Sequence, residues 1–402
     1  MFAHARNAQR PSGADEIARF ALPDGRQLSA WLDGRTSSVL VPFDPAEAYG
    51  NYVSEAWTAV GDLRGLSSRQ LDLFYALKHL IPRNAQLAGR RLLIRWQGRP
   101  AFPAWPLDTS LSRLLRFYAY CRLRAADLTE DDFVWFWPDG HHSALVLTHD
   151  VEGQGGLDRL LELADLEEEL GFRSSFNFGA WYRIDPGLLR ELRGRGFEVG
   201  SHGLRHDRSL FRSRASFEAQ LPALRAHHQH LGAEGFRSPA THRVFDWLAE
   251  LPVSYDCTIP NSDPFEPQPG GCCSVLPFLV GPVVELPYTL PQDHTLFTLL
   301  GHRSAVLWIN EAARIEQENG LIHVLSHPDP NYLGERTHRG HYAEFLRAMA
   351  ERPRVWKALP RDVAAWWRRR DSGETPETPS SRGRIMIGES PEQVSFEPPE
   401  RA

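Results

Sequence analysis

The spacing of apolar and polar residues divides the chain into stretches of different rhythm. The first thirty-odd residues are polar with weak periodicity and predict a loose start. From Pro45 to about Leu128 the pattern is mainly helical. Leu71, Leu73, Phe74, Leu77, Leu80 and Ile81 fall close to a 3.6-residue period, and Pro82 stops the run. Asp108-Thr109-Ser110 opens a second predicted helix, LSRLLRFYAYCRL. Between them, RRLLIRWQGRPAFPAWP reads as a strand broken by proline.

From Ser143 short β-type runs alternate with helical ones. Strands are predicted at 144–148, 172–178, 197–201, 235–239, 253–256, 283–288 and 321–327. Helices are predicted at 157–170, 186–194, 215–231, 244–251 and 303–318. Alternation of this kind marks a parallel sheet or barrel. After residue 370 there are five prolines and few large apolar residues, with three Arg against seven acidic residues. Such a composition predicts disorder. The expected organisation is therefore a mainly helical extension over 1–140, a distorted (β/α) barrel of about seven strands over 141–370, and a disordered acidic tail over 371–402.

In parallel α/β folds, chemistry collects where strands end. ALVLT runs into His149-Asp150-Val151-Glu152, and FEVGS into His202-Gly203-Leu204-Arg205-His206. GF leads to Arg237-Ser238-Pro239, VSY to Asp256, and HVLS to His327-Pro328-Asp329. Asp150 and Glu152 are two apart, so an extended chain points both to one side and His149 away. His202 and His206 are four apart, a spacing that suits two metal ligands. Glu152, His202 and His206 make a two-histidine, one-carboxylate set. That set suits catalytic zinc or another first-row divalent ion with open positions.

Composition removes other classes. A net charge of −6 argues against a nucleic-acid coat or a polybasic membrane binder. Lys78 and Lys357 are the only lysines, and neither precedes Ser or Thr, so no GK[ST] phosphate loop exists. Glu152-Gly153-Gln154-Gly155-Gly156 lacks the last glycine of a dinucleotide loop, since Asp158 stands in its place. The four cysteines form no C-x-x-C. No apolar leader is visible and no apolar stretch approaches the ~20 residues of a membrane span. A cytoplasmic chain with no membrane or nucleic-acid partner is the expectation.

The sequence LTHDVEG, SHGLRH, FRSP, YD and LSHPD, in that order, resembles the polysaccharide deacetylase family, carbohydrate esterase family four, over roughly 143–360. The resemblance implies a distorted (β/α) barrel and a metal-dependent hydrolase that removes acetyl groups from N-acetylated carbohydrate. It implies Asp150 as general base and His327 as general acid. It implies Glu152, His202 and His206 as ligands of one divalent ion, zinc foremost. Arg237 would hold and orient the base, and Asp256 would tune His327. Departures from the pattern are Glu152 in place of the usual aspartate ligand and Ala240 after Pro239 in place of tyrosine. Tyr288, His294 and Trp181 are candidates for the substrate groove. Alternatives are a hydrolase of a small non-carbohydrate amide on the same site, or a non-catalytic relative that binds carbohydrate or a protein partner.

Overall fold

Among the described residues the first element is a strand, where weak periodicity predicts a loose start; residues 1–9 of that stretch lie outside the described residues. Strand β1 (Asp15–Ala21) pairs antiparallel with β2 (Gln27–Asp33), and β2 with β3 (Ser38–Leu40). Gly25 is the overlooked turn signal; it takes φ +85° and donates its N–H to the Leu22 carbonyl. The small sheet closes on Phe20, whose ring meets Phe43 and Phe117 edge-on at 5.4 and 5.1 Å. The computed structural model describes residues 10–22, 25–59, 68–77, 80–374 and 381–399.

Helices follow at Pro45–Val53, Ser68–Leu77, Arg83–Gln97 and Ser110–Ala125. The helix Arg83–Gln97 replaces the strand expected at its centre. Its residues are mostly strong helix formers, and Leu87, Arg90, Leu93, Ile94 and Gln97 recur at helical spacing. Trp57 and Glu55 dock this extension on the barrel. Trp57 is buried with Nε1 donating to Gly271 O at 3.1 Å. Arg243 grips both oxygens of buried Glu55 at 2.5 Å.

The barrel is one curled sheet of nine strands among the described residues. In chain order its members are β5 (Ser143–Val151), β6 (Ser175–Phe178), β7 (Glu198–Ser201), β8 (Gly235–Phe236), β9 (Tyr255–Asp256), β10 (Phe278–Val280), β11 (Val283–Glu285), β12 (Leu321–Ser326) and β13 (Val355–Lys357). They pair in the order β10-β11-β9-β8-β7-β6-β5-β12, with β13 against the first residues of β5. All pairs are parallel except β10 with β11. The sheet stays open between its end strands; Thr289 and Leu290 lean on the His323 carbonyl across the gap. This is a distorted (β/α) barrel, with the extra strands no longer than three residues each.

β5 shows how the sheet aims its side chains. Leu145, Leu147 and Val151 pack under the outer helices with Leu163, Trp308 and Phe345. Ala144 and Val146 face the other way, against Tyr255, Val284 and Leu321. The two-residue period carries Thr148 and Asp150 onto that inner face and leaves His149 outside. His149 accordingly meets buried Glu167 at 2.7 Å and Ser326 at 2.8 Å.

The region after 370 differs from the disorder expected. The strand β14 (Arg382–Met386) pairs with β15 (Ser395–Glu397) and with a strand inside the extension, β4 (Glu130–Val134). Ile385 and Val394 bury against Tyr120 and Leu123. Among the described residues no helix is long and apolar enough to cross a membrane.

Candidate active site

The inner face of β5 ends in Asp150, and Glu152 follows on the same side. Asp150 is 3 % exposed and accepts a hydrogen bond from Asn177 Nδ2 at 2.8 Å. Asn177 comes from β6, and its space is created by β7: a Cβ on Gly200 would lie 2.0 Å from Asn177 Oδ1. The Glu152 N–H donates to Asp329 Oδ2 (3.0 Å), which fixes the turn leaving β5.

β7 ends in Ser201, and His202 follows, with its Nδ1 3.0 Å from the Arg237 carbonyl and 3.7 Å from Asp150 Oδ2. Gly203 then takes φ +88°, a conformation that turns the chain toward His206. His206 Nε2 stands 3.0 Å from Glu152 Oε1. Trp181 packs beside both imidazoles, with ring centroids at 5.6 and 5.4 Å, and donates its Nε1–H to the Glu152 carbonyl.

β12 ends in Ser326, and His327 follows. Its Nδ1 is 2.8 Å from Asp293 Oδ1, and its Nε2 is 3.8 Å from Glu152 Oε1. Asp293 is fully buried, and its second oxygen accepts the N–H groups of His327 and Leu333. This residue is absent from the sequence-based set. It lies one place before His294, one of the candidates for the substrate groove.

The slot expected for Asp256 is therefore filled by Asp293. Asp256 is fully buried at the end of β9, where its Oδ1 accepts from Thr258 Oγ1 at 2.7 Å and Glu285 of β11 is its register partner. Arg237 likewise departs from its expected contact. Its Nη2 donates to Thr148 Oγ1 (3.0 Å) and stands 3.2 Å from His323 Nε2, while Asn177 makes the hydrogen bond to the base. Arg237 reaches Asp150 through charge.

The electrostatics follow from this packing. Burial pushes the Asp150 carboxyl up, but His202, Arg237 and His327 and the Asn177 hydrogen bond outweigh it and hold the group below its ordinary value. Glu152 is held well below its own range in the same way, with His206 the main opponent of burial. Burial pulls His327 down; the charge and hydrogen bond of Asp293, with Glu152 and Asp150 beyond, reverse this and raise it to about 10. Burial drives His202 down to about 4 despite Asp150. An ionised carboxylate and an imidazolium thus stand in one cleft.

Among the described residues, no three His, Cys, Asp or Glu side chains stand in metal-holding geometry. His206 and Glu152 hydrogen-bond each other directly. The donors nonetheless suit a divalent cation. His202 Nε2 is buried without a hydrogen-bond partner, while its Nδ1 is tied to a carbonyl, the arrangement that leaves Nε2 a lone pair for a metal.

Asp150, Glu152, His202, His206 and His327 line one cavity of about 800 Å³, with His294 and Tyr332 on its rim. Its far wall belongs to the extension: Leu71, Ile81, Gln86, Leu87, Arg90 and Leu93. Tyr288 is not in this wall. It is 2 % exposed, and its hydroxyl donates to Asp263 Oδ2 at 3.1 Å.

No family model matches the sequence, and no curated protein matches it. Among solved structures, the chain is similar to two proteins provisionally described as polysaccharide deacetylases. For the one from Mycobacterium smegmatis the TM-score is 0.46 at 21% identity, over 61% of this chain and 96% of that one. For the one from Pseudomonas aeruginosa PAO1 it is 0.44 at 18% identity, over 58% and 93%. A structure named Puue allantoinase gives 0.45 at 17% identity, over 60% and 94%.

Proposed function

We propose that the chain is a divalent-metal-dependent hydrolase that removes an acetyl group from the nitrogen of an N-acetylated carbohydrate. The observation that carries this is the pair of opposed proton-transfer groups in one cleft. Asp150 is held ionised next to His202, and Asp293-bound His327 is held protonated on the other side of Glu152. Glu152, His202 and His206 would hold the cation. When bound, it would supply Lewis acidity toward the amide carbonyl and lower the pKa of a water molecule.

The chain's own residues do the rest. Asp150 accepts the proton of the attacking water, and Asn177 keeps its carboxylate from rotating. Arg237 keeps it charged from within the barrel. His327 gives its Nε2 proton to the leaving nitrogen, and Asp293 both orients the ring and supports the imidazolium. Trp181 packs the two ligand imidazoles in place. The sugar would rest against His294, Tyr332 and the helical wall.

Metal content and acetate release from N-acetylglucosamine oligosaccharides test this reading. Bound divalent ion near one equivalent, with acetate released by wild type and not by Asp150→Asn, is the expected result. Metal-free protein, or undiminished release by Asp150→Asn, would overturn it.

A further inference from the structure

Beside the reacting cavity lies a second cleft, of about 850 Å³, which the chemistry above leaves unused. Leu87 lines both. On one side of Leu87 the helix Arg83–Gln97 presents Arg90 to the reacting cavity, and on the other it presents Arg91 to the second cleft. Tyr332 and Asn331 divide in the same way. The two spaces are thus neighbours across a single side chain.

The second cleft is basic. It gathers Arg91, Arg303, His302, His338 and His341 around one carboxylate, Glu335. Arg91 spends one N–H on the Thr298 carbonyl, and among the described residues no salt bridge engages Arg303 or His302. Burial lowers the pKa of both His302 and His341, with Arg99 and His338 adding to it and Glu344 opposing it at His341, so the two arginines carry the positive charge of the cleft. His338 is fixed by stacking on Phe297, with centroids 5.4 Å apart. The fifteen-residue helix Arg336–Ala350 begins here, with Glu335 at its N-cap and no side-chain cap, so its positive end adds to the field. Two arginines lining an open cleft, neither engaged by a salt bridge among the described residues, call for an anion.

We propose that this cleft binds an anionic group, a phosphate ester or a carboxylate, carried by the same substrate whose acetamide lies between Asp150 and His327. The substrate is then an acidic N-acetylated sugar derivative. This rests on the reaction read above, so the test measures binding apart from turnover.

Calorimetric titration of the full chain with N-acetylglucosamine 1-phosphate, N-acetylmuramic acid and neutral N-acetylglucosamine separates the cases. An anionic sugar should bind about tenfold more tightly than the neutral one at low salt, and the gap should narrow as salt rises. Preference for the phosphate alone assigns a phosphate ester; equal preference for both acids assigns any anion of that size. Arg303→Glu should abolish the preference and leave binding of the neutral sugar unchanged. Arg225→Glu, on an exposed position of the helix Arg214–Leu231, should preserve it. Should Arg303→Glu fail to fold, Arg303→Gln removes the charge alone. Equal affinity for neutral and acidic sugars, or a preference that survives loss of the Arg303 charge, overturns the proposal. Anion preference without any acetate release would discard the reaction and leave the basic cleft standing.

Discussion

The reacting cavity is built from two kinds of chain. One side is the edge of the sheet, where Asp150 closes the inner face of β5 and His202 and His327 follow β7 and β12 directly, each held by hydrogen bonds of 2.8–3.0 Å. The other side is the helix Arg83–Gln97, which offers mainly apolar side chains and is held to the barrel by Ile94, packed with Phe265 and Leu299, and by Arg90 and Arg91, which donate to the Phe265 and Thr298 carbonyls. Proton transfer needs positions fixed within fractions of an ångström, and strand ends supply them. A substrate wall needs shape and polarity, and an added helix can supply those without disturbing the reacting groups.

Substitutions at the sheet edge should strike turnover. Asp150→Asn or His327→Ala should lower kcat by about 10³ or more, with the fold unchanged by circular dichroism. Asp293→Asn should cost about 10² in kcat and lower the pKa of His327. The high-pH limb of the rate profile, which needs His327 protonated, would then move to lower pH. Asp256→Asn should leave that limb where it is, since Asp256 touches Thr258 and Glu285; an equal shift in both variants would erase the distinction drawn between them.

On the helical wall the effect should be smaller and of another kind. Leu93→Asp should raise KM by about fivefold with kcat nearly unchanged, as expected for binding shared by ground and transition states. A large fall in kcat there would break the comparison.

The opposite end of the same strands should respond in stability alone. Glu198 opens β7, is 3 % exposed, and accepts a hydrogen bond from Tyr255; burial raises its pKa to about 7. A raised carboxyl stabilises fully below its unfolded value, and that contribution is lost as pH rises through about 7. Thermal melts of Glu198→Gln should show a flatter stability profile across this window, with a difference on the order of 3 kcal/mol.

How much of this was legible follows the same division. Asp150 lies in the last residues of β5, Glu152, His202 and His327 lie just beyond strands, and His206 lies one turn past His202, so a two-residue period and the parallel fold place them at one edge. Asp293 lies eight residues past the end of β11, in a segment with no strand rhythm, and only the folded chain shows it turning under His327. Asp256 occupied the expected strand end, but local pattern does not say which of two buried carboxyls faces the histidine. The helix Arg83–Gln97 was hidden by its central Leu-Leu-Ile-Arg-Trp, which reads equally as a strand. β14 was hidden because its stability comes from β4, a partner far outside any window of sequence.

That last pairing bears on how the molecule comes together in time. Asp132 sits opposite Arg384, so the clasp can close only after nearly the whole barrel has been made and has brought the two segments near each other. Closing a loop of that length from an unfolded chain would cost on the order of 5 kcal/mol in entropy, more than three short strands return. The barrel must fold first. The Tyr120 hydroxyl donates to the Glu389 carbonyl, so this contact of the helix Ser110–Ala125 forms in the same event. The strand β4, made early in synthesis, is thus among the last to find its partner.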